Sequence, residues 1–395
     1  MTRARLGWYA EGVTQRRDVA IVLSGGGMNG VLMELGFLRR IRESEYWPRV
    51  GWIFGTSAGA LAGTLAAVDR LDDLEEFLLE LRPEETFRPH RLWQLPLVGL
   101  HDYALPRTIE RRLCDPVELA RDVAAAPVEL VVVATDVTDD EDAEGKNPRE
   151  LVWSSRTTAP EEFADAVLAS AAISALVLPL RVGDRIATDG GWVRNYPLAH
   201  AYDHPEVELI VGFRYLPRYP RMGAAGVADL RRRLERVRRV APVRGFIAEL
   251  KRAEGRAARG EPAHLVDMIV RLMRVSIMRN NALEERFADD KDESIQELES
   301  LRRDVLAIVT QNVRGAGRRD RIAAAVEARF AAAQFPFRHD RLVPRITVHA
   351  SVGEVSLEPG FRSQKPWTAE AKRALIARGY ELADCELGRS EEAVA

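Results

Sequence analysis

A chain of 395 residues with 46% hydrophobic and 30% charged residues has the composition of a globular protein, which excludes a disordered or fibrous chain. Its 57 Lys and Arg against 60 Asp and Glu give a formal net charge of -3, which argues against a polyanion as partner of the whole surface. Two cysteines, Cys114 and Cys385, are too few for a disulfide framework or a four-cysteine zinc site.

The sequence contains no segment typical of secretion or membrane insertion. The first twelve residues have no apolar core of the kind that a secretory signal needs. The longest uncharged stretch, 166–180, is also shorter than the ~20 residues of a membrane span. We therefore expect a cytoplasmic protein and leave peripheral contact with a membrane open.

The first half of the chain alternates short strands with helices. Residues 19–23 form an apolar, β-branched run typical of a strand buried on both faces, and helical spacing follows over 31–41. A second strand at 52–54 leads into an alanine-rich helix at 58–68. Further predicted elements are a helix at 72–81 and strands at 129–134, 186–188, 209–213 and 346–350. This alternation predicts an α/β sandwich with a mostly parallel sheet.

The second half is predominantly helical. The spacing of apolar residues predicts helices over 263–280, 295–311 and 321–333, and a final helix from Thr368 to a glycine cap at Gly379. We divide the chain into a tail (1–17), an α/β core (18–216), a helical section packed on the core (217–340), a strand and helix completing the core (341–382) and a second tail (383–395).

A basic amphipathic helix is predicted within 218–259 and stops near Pro242. Its arginines are Arg231, Arg232, Arg233, Arg236, Arg238 and Arg239. Such a helix suits either a solvated face over the core or adsorption to anionic lipid. Nucleic acid is not expected as a partner, because aromatic residues are not interleaved with the arginines.

A glycine-rich loop, 24–30, follows the first strand and begins a helix. Its backbone N–H groups and the helix N-terminus suit a dinucleotide pyrophosphate, a nucleotide phosphate or a transient oxyanion. No Gly-Lys-Ser/Thr follows Gly30, which excludes a P-loop. Gly25, Gly27 and Gly30 do fit the dinucleotide pattern, but the acidic residue expected at the end of the second strand is missing.

The second strand ends in the pattern G-x-S-x-G, over Gly55–Gly59, with Ser57 at its centre. Small neighbours permit the sharp turn that exposes a nucleophilic serine above a helix N-terminus. In a parallel sheet, this turn and the glycine loop lie at the same edge. None of the seven histidines has the surroundings of a catalytic base, whereas Asp189, before Gly190 and Gly191, is the better candidate partner of Ser57.

These motifs together resemble the patatin-like phospholipase family, over about half the chain. The matching segments are the glycine loop, Gly55–Gly59, the small-residue segment 169–179, Asp189–Gly191 and Asn195–Pro197. The resemblance implies a three-layer α/β/α fold and a lipid acyl hydrolase that uses a Ser-Asp dyad and no metal or other cofactor. A catalytically weak lipid-binding or regulatory protein of the same fold is the alternative.

The resemblance also implies a role for each motif residue. Ser57 would be the nucleophile and Asp189 its partner, whose pKa must be raised if it is to act as a base near neutral pH. The N–H groups of the three consecutive glycines Gly25, Gly26 and Gly27 would form the oxyanion hole. The supporting residues would be Asn29, Gly30, Gly55, Gly59, Gly190 and Gly191. Asn29 departs from the family, which commonly has Arg or Lys at this position.

Overall fold

The computed structural model describes residues 16–89, 101–138, 149–173, 177–216, 231–232, 235, 241–259, 261, 265–333, 342–351, 356–357 and 367–394. The strands are β1 (Val19–Leu23), β2 (Val50–Thr56), β3 (Phe87–Pro89), β4 (His101–Tyr103), β5 (Glu129–Asp136), β6 (Glu150–Ser154), β7 (Leu180–Val182), β8 (Arg185–Asp189), β9 (Leu209–Tyr215) and β10 (Arg345–Ala350).

The helices are α1 (Gly27–Arg42), α2 (Ala58–Ala67), α3 (Leu71–Glu80), α4 (Pro83–Thr86), α5 (Leu105–Arg112), α6 (Pro116–Ala125), α7 (Pro160–Ser170), α8 (Leu198–Asp203), α9 (Ala241–Ala258), α10 (Leu265–Asn312), α11 (Ala316–Ala331) and α12 (Ala369–Val394). Short 3-10 turns occur at Trp47–Arg49 and Gly190–Trp192.

An eight-stranded sheet forms the centre of the molecule. Its order is β10-β9-β1-β2-β5-β8-β7, and β6 pairs with β5 off this path. The five strands β10, β9, β1, β2 and β5 are parallel, whereas β6, β7 and β8 run antiparallel to their neighbours. The expectation of a mostly parallel sheet is therefore confirmed.

Both faces of the sheet are covered. In β1, Val19, Ile21 and Leu23 face the larger apolar core, which α1, α2 and α12 help to form. The alternate residues Ala20 and Val22 face a second core, to which α8 and α10 contribute. The continuous apolar run of β1 is thus explained by burial on two sides, and the three-layer α/β/α architecture is confirmed.

The helical section has fewer, longer helices than the sequence predicted. The two helices expected over 263–280 and 295–311 are a single helix, α10, of 48 residues. No Gly or Pro interrupts its sequence, and polar residues in the middle pack on the core: Asn281, Glu284 and Lys291 are buried. Apolar periodicity alone underestimated the length because this stretch contacts the core through polar side chains.

The basic helix predicted in the same section falls largely outside the described residues. Arg231 forms ion pairs with Glu235 and Glu254, at 2.7 and 3.0 Å. Arg232 is also described, while Arg233, Arg236, Arg238 and Arg239 lie outside the described residues. Pro242 lies within α9, so the helical structure does not stop there as the sequence predicted. Within the described part of the chain, no helix is both long and apolar enough to cross a membrane.

The last helix also extends beyond its predicted end. Gly379 is not a cap: α12 continues to Val394, and Ala383 and Leu387 of the expected tail are buried. The glycine instead allows two helices to cross closely, since a Cβ on Gly379 would lie 1.9 Å from the Met33 carbonyl oxygen of α1. Gly36 of α1 makes the reciprocal approach, with its would-be Cβ 1.9 Å from the Ile376 carbonyl oxygen.

We expect Gly379→Ala to lower the free energy of unfolding by about 1–3 kcal/mol, because the added methyl group must push α1 and α12 apart. Gly388→Ala in the same helix is the matched control: its Cβ would meet nothing within 4 Å. That substitution should raise stability by about 0.5–1 kcal/mol through helix propensity. Urea unfolding measures both changes, and equal stability of the two variants would refute the close crossing.

Candidate active site

Ser57 lies on a strained turn between β2 and α2. Its φ of 56° and ψ of -116° place a non-glycine residue at positive φ, a conformation that costs about 1–3 kcal/mol and is concentrated at functional sites. The flanking glycines permit this turn. A Cβ on Gly55 would lie 2.6 Å from the Gly59 carbonyl oxygen, and one on Gly59 would lie 2.6 Å from the Leu23 Cβ. The start of α2 therefore lies directly against β1 and β2.

The Ser57 hydroxyl donates a hydrogen bond of 2.6 Å to Oδ2 of Asp189. The other carboxylate oxygen, Oδ1, accepts from the Gly191 N–H at 2.8 Å. The backbone of Asp189 is held on both sides, since its N–H donates to the Ala172 carbonyl and its carbonyl accepts from the Thr135 hydroxyl. Both oxygens of the carboxylate are thus oriented by named donors.

Burial sets the protonation of this carboxylate. Asp189 is 8% exposed and Ser57 is 5% exposed. Desolvation raises the pKa of Asp189 from 3.8 to about 6, although the hydrogen bonds from Ser57 and Gly191 act to lower it. A carboxylate with a pKa of about 6 can accept a proton near neutral pH.

Strand pairing explains why these two residues meet. Strand β6 pairs with residues 131–135 of β5, overlapping the β5 residues that pair with β2 and with β8. β2 and β8 must therefore share the opposite edge of β5, with Thr56 beside Val133 and Asp189 beside Ala134. Because β2 and β8 run towards each other along this edge, the residues at their ends, Ser57 and Asp189, come into contact.

The glycine loop lies beside Ser57, as the parallel pairing of β1 and β2 dictates. A Cβ on Gly25 would lie 3.1 Å from the Ser57 Cβ and 2.5 Å from Oδ1 of Asn195. The N–H of Gly25, however, donates to the Asn195 carbonyl at 2.9 Å. Gly25 is therefore not a free donor, and its expected place in an oxyanion hole is wrong: its contribution is close packing.

The next two glycines, Gly26 and Gly27, differ from Gly25 in that their N–H groups are available to donate. Gly26 is the N-cap of α1 and Gly27 is its first residue, with φ of 56°. Among the described residues, no acceptor bonds to either N–H. A Cβ on Gly27 would meet nothing within 4 Å, so the chain is open on that side. Two N–H groups at the positive end of a 16-residue helix suit a developing anion.

Asn29 is fully buried and has a structural role. Its Nδ2 donates to the Ser356 hydroxyl at 3.0 Å, and its Oδ1 accepts from the Leu357 N–H at 2.9 Å. Gly30 follows it inside α1, where a Cβ would make only ordinary contacts with Ala58 and Tyr215. The amide thus anchors α1 to the segment after β10 instead of presenting a side chain to a ligand.

The turn after Asp189 is closely packed. A Cβ on Gly190 would lie 2.4 Å from the Val133 carbonyl oxygen, and one on Gly191 would lie 2.9 Å from Oδ1 of Asp189. A side chain at Gly190 would push the turn away from β5, and one at Gly191 would displace the carboxylate. Gly190 therefore sets the close approach of the turn to β5, and Gly191 its close approach to the carboxylate.

Ser170, the last residue of α7, holds the backbone of Ser57 and was not singled out in the sequence. Its fully buried Oγ accepts the Ser57 N–H at 2.8 Å and donates to the Val133 carbonyl at 2.6 Å. The signal that could have identified it is the small-residue run at 169–174, which matched the family without indicating a role. Ser170 thus links the strained turn to β5.

Asn281 of α10 was also missed. Nδ2 of Asn195 donates to Oδ1 of Asn281 at 3.2 Å and to the Gly25 carbonyl at 3.3 Å. The helical section therefore contacts the glycine loop through Asn195. Nothing in the local sequence of α10 distinguishes this asparagine from a solvent-facing one.

Comparison with known proteins shows which family this part of the chain is similar to. A sequence model of the patatin-like phospholipase family matches residues 21–202, a range that includes the glycine loop, Ser57 and Asp189. No curated protein matches the chain. Among solved structures, the chain is similar to VipD from Legionella pneumophila, with 13% sequence identity and a TM-score of 0.39 over 94% of this chain and 67% of that one.

Proposed function

Because residues 21–202 belong to the patatin-like phospholipase family, we propose that this chain is a serine hydrolase of lipid acyl esters that acts through a Ser57-Asp189 dyad. Family membership supports hydrolysis of lipid esters in general. The observation that carries the finer proposal is the 2.6 Å bond between the Ser57 hydroxyl and Asp189, at a serine held at positive φ. A serine in an ordinary strand-to-helix turn would need neither the strain nor a buried carboxylate as acceptor.

The first half-reaction forms an acyl-enzyme. Oγ of Ser57 attacks the carbonyl carbon of the ester, and its proton passes to Oδ2 of Asp189. The N–H groups of Gly26 and Gly27 donate to the resulting oxyanion, each contributing about 10²–10³ in rate by analogy with other oxyanion holes. The bond to the leaving oxygen then breaks, and that oxygen takes the proton from Asp189. An alcohol or a lysolipid departs.

The second half-reaction releases the fatty acid. Water attacks the acyl carbonyl carbon while Asp189 accepts one of its protons, and the same two N–H groups stabilise the second oxyanion. When the bond to Ser57 breaks, Oγ recovers its proton from Asp189. The carboxylate begins and ends ionised, which a pKa of about 6 permits near neutral pH.

Labelling with a fluorophosphonate, read by intact mass, tests this proposal. We expect one adduct on the wild-type protein and none on Ser57→Ala, because the probe reacts only with an activated hydroxyl. Ser294→Ala is the control: this serine of α10 donates to the Asp290 carbonyl, and its loss should leave labelling unchanged. No adduct on folded wild-type protein would refute the hydrolase and favour a lipid-binding or regulatory protein.

A further inference from the structure

The N-terminal part of α10 has an apolar stripe on its outer face. Met268, Leu272 and Val275 are 44%, 55% and 62% exposed, and they recur at the four- and three-residue spacing that aligns side chains on one face of a helix. Ile277, on the opposite face, is 7% exposed and packs on the core. Met278, 48% exposed, widens the stripe on one side.

The charge of α10 changes along its length. The segment 265–281 has three arginines, Arg271, Arg274 and Arg279, against one aspartate. The following segment, 282–299, has eight acidic residues and two basic ones. Met268, Leu272, Val275 and Met278 therefore lie in the basic part of the helix, whereas two further exposed apolar residues, Leu283 and Phe287, lie in the acidic part. An apolar stripe beside arginines is the combination typical of helices that lie at the surface of anionic lipid.

The inner face of the same turns supports the candidate active site. The Ser276 hydroxyl and Nδ2 of Asn280 both donate to the Trp192 carbonyl, at 3.0 and 2.8 Å. Trp192 closes the 3-10 turn that begins directly after Asp189. The apolar stripe and the catalytic turn are thus on opposite sides of one helix, whose thickness is about 10–12 Å.

We propose that this stripe, Met268, Leu272, Val275 and Met278 with the neighbouring arginines, docks the protein on the surface of an anionic lipid bilayer. The apolar side chains enter the boundary between headgroups and acyl chains, while the arginines contact lipid phosphates. A protein partner fits less well, because four side chains are far fewer than the ~20–30 residues per side of a stable interface. This inference rests on the proposed function and adds to it the form in which the substrate is presented, a lipid bilayer.

Vesicle flotation tests the docking surface without relying on catalysis, since all variants carry Ser57→Ala. We expect the protein to float with phosphatidylcholine vesicles that contain phosphatidylglycerol. Leu272→Asp with Val275→Asp should lower the partition coefficient at least about tenfold, because two apolar side chains no longer enter the lipid. The pair Leu272→Gln with Val275→Thr, which adds no charge, should also weaken binding. It tests whether the loss in the aspartate pair is caused by misfolding.

A matched pair on the same helix controls for added charge. Leu301 and Ile308 are 52% and 59% exposed, and Leu301→Asp with Ile308→Asp adds the same two negative charges outside the stripe. This pair should change partition less than about threefold, because both positions lie about 40–50 Å along the helix from Val275, several Debye lengths from the stripe. A charge placed close to the lipid surface would instead be worth ~1 kcal/mol, or about fivefold. Arg279→Gln removes one positive charge, worth ~1 kcal/mol near anionic lipid, and should therefore lower partition into the anionic vesicles about fivefold. Its binding to pure phosphatidylcholine should be unchanged.

Three results would overturn the proposal: no flotation of the parent protein with anionic vesicles, an equal loss in both aspartate pairs, or a dimer in solution that only the stripe pair dissociates. The last result would assign the stripe to a second copy of this chain. Failure of the docking proposal can be distinguished from failure of the proposed hydrolase activity. A labelled Ser57 without vesicle binding refutes the docking surface alone, whereas vesicle binding without labelling refutes the hydrolase alone.

Discussion

Replacing Asp189 with asparagine should lower kcat/KM for an ester substrate about 10⁴-fold, the scale seen when one member of a catalytic triad is lost. The amide has nearly the shape of the carboxylate and can still accept from the Gly191 N–H, so the turn should be retained. It cannot accept the Ser57 proton, however, and the nucleophile stays protonated. Steady-state kinetics with a p-nitrophenyl ester measures the loss, and a variant with more than a tenth of wild-type activity would remove Asp189 from the mechanism.

The pH dependence of the same pair of proteins gives an independent readout. Because the pKa of Asp189 is raised to about 6, wild-type kcat/KM should fall about tenfold per pH unit below that value and level off above it. The residual activity of Asp189→Asn should have no such acid limb. An acid limb near pH 6 that persists in the variant would have to belong to another group.

At neutral pH, Asp189→Asn should raise the free energy of unfolding although it lowers activity. The pKa of Asp189 in the folded protein lies above its ordinary value of 3.8. Its contribution to the free energy of unfolding is therefore fully present below about pH 4 and is lost as the pH rises through about 6. A difference of about two pKa units corresponds to about 2–3 kcal/mol. We therefore expect Asp189→Asn to unfold at a higher denaturant concentration than wild type at pH 7, but not at pH 4.

The residues of the proposed dyad could be identified as candidates from sequence because their signals are local. Ser57 lies in a five-residue pattern at the end of a strand, and Asp189 lies before two glycines at the end of another. Parallel sheets bring the ends of successive strands to one edge, which accounts for the glycine loop. The contact between Ser57 and Asp189 also requires that β8 run antiparallel to β5, on the same edge of β5 as β2. No local sequence pattern indicates that arrangement.

What the sequence did not indicate depends on contacts between distant segments. The N–H of Gly25 is occupied by the carbonyl of Asn195, and a loop motif cannot show which of its N–H groups is already bonded. Gly379 has the appearance of a helix cap, but its role is set by α1, more than three hundred residues earlier. Asn29 likewise could be interpreted only as a departure from a family pattern until its bonds to Ser356 and Leu357 were known.

Gly25→Ala should lower kcat about 10²-fold or more, although Gly25 does not donate to the substrate in our mechanism. The added Cβ would lie 2.5 Å from Oδ1 of Asn195 and 3.1 Å from the Ser57 Cβ. Asn195 is buried and bonded to Asn281, so it has little room to retreat. The loop must then move, and Gly26 and Gly27 move with it. Loss of one aligned oxyanion donor costs about 10²–10³ in rate, which sets the expected size of the effect.

Gly30→Ala separates this geometric cause from a general intolerance of the glycine loop. Its Cβ would lie 3.7 Å from the Ala58 Cβ and 3.8 Å from Tyr215, both ordinary contact distances. Gly30 also lies within α1, where alanine is favoured over glycine by about 0.5–1 kcal/mol. We expect this variant to keep kcat within about tenfold of wild type and to unfold at a higher denaturant concentration. Equal losses of activity in both variants would show that the loop requires flexibility throughout, whereas a loss confined to Gly25→Ala would show that it requires close approach to Ser57.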